Sequence, residues 1–203
     1  MSVVIKQFTA IPQALPAKEV ARYMGVRGDN LDCEISSRIE QLWPRFRKEI
    51  SCRACWLEVP VFISENIIDM GIVTVKSDAL AINLKNCDKA ILFAATIGSG
   101  ADRLCRAASV NTPSNALIYD AMGSTAIEWF CDTLCESLSH EFPAYTQRPR
   151  FSPGYGDLSL ALQEDLLRVL DARRIIGLTL SDSLLMIPQK SVTAIVGLKK
   201  SNG

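Results

Sequence analysis

A short proline-rich segment, Arg148-Pro-Arg-Phe-Ser-Pro-Gly-Tyr155, carries the residue types needed to hold a small charged ligand. The guanidinium of Arg150 can bind a carboxylate through two parallel hydrogen bonds, because its donors form a planar fork. Gly154 would let the backbone approach a ligand closely, and Tyr155 could pack on a ring. The segment therefore fits a clamp for a small zwitterion. A surface turn with two solvated arginines fits the same residues.

A second candidate is Glu128, which lies beside the apolar stripe of the longest predicted helix. Cys131 and Cys135 follow it at helical spacing, whereas Asp132 and Glu136 are predicted to lie away from that row. A carboxylate at the border of a core needs a partner. An arginine would make it an internal ion pair, and a cationic ligand would make it part of a binding site.

The seven cysteines do not form a recognisable metal or disulfide pattern. Cys52-Arg-Ala-Cys55 has the spacing of a redox dithiol or of half a zinc site, but no second pair completes it and His140 is the single histidine. Buried thiols are the simpler interpretation, and we predict no metal site. A single histidine also argues against Ser/His/Asp and Cys/His catalysis, so we assign no catalytic residue.

Composition excludes several classes of protein. Of the 203 residues, 48% are hydrophobic and 22% are charged, which is typical of a folded domain. The 22 basic residues balance the 22 acidic ones, so we expect no nucleic-acid partner. Apolar runs are far shorter than the ~20 residues of a membrane span, and the first residues lack an export signal. We therefore expect a cytoplasmic protein with no membrane partner.

The apolar patterns place helices before and after a group of strands. Helices are predicted over 16–24, 36–50, 101–108, 115–140 and 160–170, and strands over 56–63, 71–75, 80–84, 89–95 and 191–198. Pro44 interrupts the second helix, which we expect to be kinked or in two pieces. The segment 142–155 is predicted to be irregular. Because helices and strands do not alternate, we predict an α+β fold with a mostly antiparallel sheet packed with helices.

Four segments in the second half of the chain follow one another in a recognisable order. They are Lys89-Ala-Ile-Leu-Phe-Ala-Ala-Thr-Ile-Gly98, Ala121-Met-Gly-Ser-Thr-Ala-Ile-Glu128-Trp-Phe, Arg150-Phe-Ser-Pro-Gly-Tyr155 and Ile176-Gly-Leu-Thr-Leu-Ser-Asp-Ser-Leu-Leu-Met-Ile-Pro188-Gln-Lys-Ser-Val192. In type and order they resemble the S-adenosylmethionine-binding activation domain of cobalamin-dependent methionine synthase. The resemblance leaves 1–87 without a match. We therefore divide the chain into an unassigned N-terminal part of one compact unit, 1–87, and an activation core, 88–203.

The resemblance implies a function. In that family the domain holds S-adenosylmethionine over the cobalamin cofactor, and the methyl group together with one electron from a flavodoxin-like donor restores methylcobalamin after oxidation. This sequence shows no recognisable cobalamin-binding domain. The resemblance therefore implies reactivation in trans, with a separate methionine synthase or related corrinoid protein as partner and a flavodoxin-like or ferredoxin-like electron donor.

The resemblance also assigns residues. Arg150 matches the arginine that holds the carboxylate of the ligand, and Glu128 matches a helix glutamate beside its charged methionine end. Ser152, Gly154 and Tyr155 match the loop that surrounds the ligand. Methyl transfer from a sulfonium requires positioning but no general base, so the scarcity of histidine agrees with this function.

Two departures from the family keep other functions open. The closing strand carries Thr193-Ala-Ile-Val196 where the family often has aromatic residues, and the family's N-terminal aspartate has no assignable counterpart. The alternative is a non-enzymatic docking module that binds a corrinoid protein and no small ligand. A reductive activator that uses Cys52 and Cys55 is a third possibility.

Overall fold

The computed structural model describes residues 4–26 and 33–201. The helices are α1 (Ala17–Tyr23), α2 (Cys33–Glu49), α3 (Asp78–Asn83), α4 (Gly100–Asn111), α5 (Pro113–Glu141), α6 (Leu162–Val169) and α7 (Ala172–Ile176). The strands are β1 (Lys6–Thr9), β2 (Arg53–Pro60), β3 (Phe62–Ser64), β4 (Ile67–Asp69), β5 (Thr74–Lys76), β6 (Lys89–Thr96), β7 (Tyr145–Gln147), β8 (Thr179–Leu180), β9 (Met186–Ile187) and β10 (Ser191–Lys200).

A five-stranded sheet in the order β1-β2-β6-β10-β7 forms the centre of the fold. Its four strand pairings are all antiparallel. The central strand β6 pairs on one side with β2, which precedes it in the sequence, and on the other side with β10, which follows it. Trp56 of β2 and Ala194 of β10 both lie opposite Phe93. The predicted α+β class with a mostly antiparallel sheet is confirmed.

The sheet separates two hydrophobic cores. Alternate residues of β6 point to opposite faces, so Ile91 and Phe93 belong to one core and Leu92 to the other. Helices α1, α2, α4 and α5 cover the first face, and α3, α6 and α7 cover the second. Seven of the eight residues of β6 are buried, as its continuous apolar run predicts.

Helix α5 is the longest helix described and runs along the first core. It covers the predicted range 115–140 and buries twelve of its 29 residues, among them Phe130 and Leu134. Helix α2 is one uninterrupted element that contains Pro44, so the expectation of two pieces is wrong. Pro44 is exposed, and the carbonyl that lacks an N–H partner can bind water instead.

The predicted strand over 80–84 is wrong, because this segment belongs to helix α3. The Ser77 hydroxyl accepts a hydrogen bond from the amide of Leu80 and so caps the first turn of the helix. A short apolar run has no period of its own, and here the cap before it decides the conformation. The predicted strand 71–75 is displaced to β5, and the segment 142–155, expected to be irregular, contains β7.

Within the described ranges, no helix combines the length and the apolarity needed to cross a membrane.

Candidate functional site

The side chain of Arg150 reaches α5 and binds two carboxylates there. Its Nη2 donates to Oε2 of Glu128 over 2.9 Å and to Oδ1 of Asp132 over 2.9 Å. The Arg150 side chain is 24% exposed, whereas those of Glu128 and Asp132 are 45% and 73% exposed. The sequence allowed either an arginine or a cationic ligand as the partner of Glu128, and in the structure its partner is Arg150.

Asp132, which the sequence placed away from the apolar stripe and outside the candidate site, contacts Arg150 as well. Asp132 follows Glu128 by four residues, and residues at that spacing lie next to each other on one face of a helix. The guanidinium of Arg150 lies between the two carboxylates and binds both. A four-residue repeat of acidic residues in an otherwise apolar helix was the available signal for this arrangement.

The same repeat continues toward the start of α5. We call the four residues of this repeat that contact Arg150 or Lys190 the α5 polar row: Asp120, Ser124, Glu128 and Asp132. Lys190, just before β10, donates to Asp120 over 2.8 Å and to Ser124 over 2.9 Å. Three carboxylates therefore face two cations, which leaves one negative charge in excess. The sequence analysis did not include Asp120 and Lys190 in the site.

Gly123 makes room for the lysine at this helix face. A Cβ at Gly123 would lie 3.0 Å from both Cγ and Cε of Lys190. The Lys190 side chain is 16% exposed and lies flat across the helix. The glycine that interrupts the apolar stripe of α5 thus allows a second cation to lie one helical turn from Glu128.

Electrostatics keep the Arg150 guanidinium charged. Burial disfavours its charge, but attraction by Cys131 once its thiol is ionised, and by the carboxylates of Glu128 and Asp132, outweighs burial and raises the pKa of Arg150 above its ordinary value. Burial also raises the pKa of the Cys131 thiol to about 12. At neutral pH the site therefore presents a charged guanidinium beside a neutral thiol.

The loop that follows Arg150 is closed by its own backbone. The amide of Tyr155 donates to the carbonyl of Ser152 over 3.1 Å, and that of Gly154 donates to the carbonyl of Leu158 over 2.9 Å. Gly154 has φ +90°, in the left-handed region that favours glycine. Tyr155 is 58% exposed and packs edge-on against Phe151. The predicted turn is present, with its aromatic ring on the surface.

Two further contacts fix the ends of this loop. Phe151 forms an antiparallel bridge with Ile195 of β10, with backbone hydrogen bonds of 2.9 Å in both directions. Asp157, which sequence reasoning missed, accepts hydrogen bonds from Ser77 Oγ over 2.6 Å and from the amides of Asp78 and Ala79 over 2.7 and 3.1 Å. These bonds lower the pKa of Asp157 from 3.8 to about 2, so it is ionised at neutral pH.

The predicted residues thus fall into two groups. Arg150 and Glu128 are in direct contact. Ser152, Gly154 and Tyr155 form the adjoining loop, which is connected to Arg150 through the neighbouring Phe151. A cleft of about 750 Å³ between α4 and α5 lies at the other end of the α5 polar row and includes Asp120, but none of the five predicted residues lines it.

Cys52 and Cys55 are free and buried. Cys52 belongs to the core on one face of the sheet and Cys55 to the core on the other, because residues three apart in an extended chain point in opposite directions. Burial raises the pKa of each thiol to about 12. Among the described residues, no group of three or more His, Cys, Asp or Glu side chains could hold a metal ion.

The chain resembles a known protein in its fold rather than in its sequence. No protein-family model matches it, and no curated protein matches it significantly. Among solved structures it is similar to the crystal structure of the MetH reactivation domain bound to AdoHcy, with a TM-score of 0.73 at 14% sequence identity. The match covers 99% of this chain and 80% of the other. The chain therefore has the fold of the MetH reactivation domain.

Proposed function

We propose that the protein binds S-adenosylmethionine and supports the reductive methylation that reactivates a separate cobalamin-dependent methionine synthase or a related corrinoid protein. One observation carries the proposal. A half-buried guanidinium and a carboxylate, Arg150 and Glu128, are held 2.9 Å apart on a fold whose solved neighbour is bound to AdoHcy.

The charges of the pair match those of the ligand. S-adenosylmethionine carries a carboxylate, an ammonium and a sulfonium, so its methionine end presents both signs. Its carboxylate would bind the guanidinium of Arg150, and its ammonium would bind Glu128. The guanidinium has five N–H donors, and the two carboxylates of α5 contact only Nη2, so donors on Nε and Nη1 are not used by either of them.

The excess charge of the α5 polar row supports the same ligand. The row has one more negative charge than the cations that face it, and S-adenosylmethionine has a net charge of one positive unit. S-adenosylhomocysteine lacks the sulfonium and is neutral overall. Water screens the charge of Glu128 less than that of a fully exposed carboxylate, because its side chain is 45% exposed, and this favours the sulfonium form.

The chain itself would bind and orient the methyl donor. The methyl group of the ligand and one electron from a flavodoxin-like or ferredoxin-like donor would return the oxidised corrinoid of the partner to its methylated form. Arg150 and Glu128 would fix the methionine end, and the loop of Ser152, Gly154 and Tyr155 would cover the ligand. No residue of this chain needs to move a proton, because the leaving group departs as a neutral thioether.

A docking module without a small ligand is the second candidate, and the closing strand favours it. Thr193, Ala194, Ile195 and Val196 are all buried, so this part of β10 presents no aromatic ring to a ligand.

The positions of Cys52 and Cys55 argue against the third possibility, a reductive activator with a redox dithiol, because the two thiols point into different cores.

Calorimetric titration of the purified protein tests the proposal. We expect S-adenosylmethionine to bind, and to bind more tightly than S-adenosylhomocysteine. The second step adds the protein to an oxidised cobalamin-dependent methionine synthase with flavodoxin as reductant, where methionine formation should recover faster with both protein and S-adenosylmethionine than with either alone. No heat at millimolar ligand would favour the docking module. Binding without faster recovery would refute the proposed partner.

A further inference from the structure

Helix α3 touches both ends of the segment that carries the proposed ligand-binding residues. At its start, Ser77, Asp78 and Ala79 donate three hydrogen bonds to the carboxylate of Asp157. At its end, Nδ2 of Asn83 donates to the carbonyl of Pro149 over 3.2 Å. The two contacts enclose the stretch from Arg150 to Gly156, which includes every predicted binding residue outside α5.

The loop also lies unusually close to this helix. Gly156 has φ +55°, and a Cβ at this position would be only 2.8 Å from the Cβ of Ala79. A side chain larger than hydrogen would push the loop away from the first turn of α3. The close approach and the three hydrogen bonds of Asp157 therefore act at one place.

We propose that α3 is a splint that sets the distance between Arg150 and Tyr155, and that Asp157 and Asn83 are the positioning residues that attach the ligand loop to it. This inference rests on the proposed function, because it concerns the same ligand loop. The splint explains how a 58% exposed Tyr155 can have a defined position without being packed in a core.

Asp157 acts on the loop more than on the helix. Helix α3 has its own cap, since Oγ of Ser77 accepts from the amide of Leu80 over 3.0 Å. Leu80 and Leu84 are fully buried, so packing holds the helix to the second core as well. Loss of Asp157 should therefore leave α3 formed and release the loop.

Three measurements on Asp157→Ala test the splint: affinity for S-adenosylmethionine, melting temperature, and amide hydrogen exchange. The control is Asp165→Ala, which removes a partly exposed aspartate that forms an ion pair with Arg168 on α6. In Asp157→Ala we expect faster exchange at the amides of Gly154 and Leu158, and affinity weaker by about tenfold to a hundredfold, as for other misplaced binding groups. The control should change neither quantity.

The energetic coupling between Asp157 and Tyr155 distinguishes a positioning role of Asp157 from a purely structural one. If Asp157 acts through the ring of Tyr155, Asp157→Ala should weaken binding less in a Tyr155→Ala background than in the wild type. Asn83→Ala should weaken binding in the same direction, and Asp157→Asn, which keeps an acceptor oxygen, should restore part of the affinity. Should Asp157→Ala fail to fold, Asp157→Asn and Asn83→Ala provide the same test.

Unchanged affinity in a folded Asp157→Ala protein whose loop exchanges faster would overturn the splint. If the wild type binds no S-adenosylmethionine, the proposed function fails, and the splint is then judged by exchange alone. In that case unchanged protection of Gly154 and Leu158 in Asp157→Ala overturns it as well.

Discussion

Nη2 of Arg150 and Oε2 of Glu128 lie 2.9 Å apart, so the two charges assigned to opposite ends of a zwitterion already neutralise each other in the protein. A zwitterionic ligand would exchange this one ion pair for two, in which its carboxylate binds the arginine and its ammonium binds the glutamate. The free protein therefore never has an unpaired charge at this half-buried position. The affinity for the ligand then depends on the difference in free energy between the Arg150–Glu128 pair and the two ion pairs that these residues would form with the ligand.

Replacing Arg150 by Ala should weaken S-adenosylmethionine binding by roughly tenfold to a hundredfold, the usual effect of losing a charge-assisted hydrogen bond. Calorimetric titration measures the change. Arg150→Lys should recover only part of the affinity, because an ammonium cannot bind a carboxylate through two parallel bonds. Arg168→Ala, which removes an exposed ion pair with Asp165, is the matched control and should leave binding unchanged. Equal affinities for Arg150→Ala and wild type would remove Arg150 from the site.

Neutralising the two acidic partners of Arg150 should affect ligand binding to different extents. Glu128→Gln removes the proposed ammonium partner and should weaken binding by about threefold to tenfold. Asp132→Asn removes a competitor for Arg150 and also the excess negative charge of the α5 polar row, so its two effects oppose each other. Because Asp132 is 73% exposed, we expect the affinity to change by less than about twofold. Competition of both variants and the wild type for one labelled ligand compares them directly. Equal weakening in both variants would mean that Asp132 also contacts the ligand.

The buried thiols should have no role in the function. A Cys52→Ala, Cys55→Ala double variant should bind S-adenosylmethionine and support reactivation as the wild type does. In the native protein a thiol reagent at pH 8 should modify the exposed Cys33 well before Cys52 and Cys55, whose burial raises their pKa to about 12. A folded double variant that binds ligand but no longer supports reactivation would revive the reductive activator.

Asp157 should make stability depend on pH only in the acid range. Its pKa falls from 3.8 to about 2 on folding, so the folded state favours the carboxylate. The contribution is complete above pH 3.8 and is lost as the pH falls through about 2. The melting temperatures of wild type and Asp157→Asn should therefore differ by a constant amount near neutral pH and converge toward pH 2. A difference that persists at pH 2 would contradict the hydrogen bonds to α3.

Much of the fold could be predicted because its main elements have distinct apolar patterns. The long stripe of α5 repeats every three to four residues, and the continuous apolar run of β6 has the length of a buried strand. The run from Leu80 to Leu84 is too short to show a period, so its helix depends on the cap at Ser77 and on burial against the second core. Strand β1 has one partly buried residue, Phe8, and forms because its backbone pairs with that of β2.

The candidate site likewise contains residues that could be predicted from the sequence and residues that could not. Arg150 and Glu128 could be proposed because each is a charge in an apolar or proline-rich setting. Asp132 was misjudged because its side chain is mostly exposed and contacts Arg150 only after the chain folds. Lys190 contacts Ser124, which is 66 residues away in the sequence, and Asp157 contacts Ser77, which is 80 residues away. No local sequence pattern predicts such contacts.

The central position of β6 has a consequence for synthesis of the chain. Its neighbour β2 precedes it, but its other neighbour, β10, is made much later: Thr96 and Ser191, which pair in the ladder, are 95 residues apart. A growing chain can therefore form β1, β2 and β6 while one edge of an almost wholly apolar strand is still unpaired. Such edges recruit other chains. Pairing with β10 closes this edge, and until then the unpaired edge of β6 is a site at which the nascent chain is prone to aggregate.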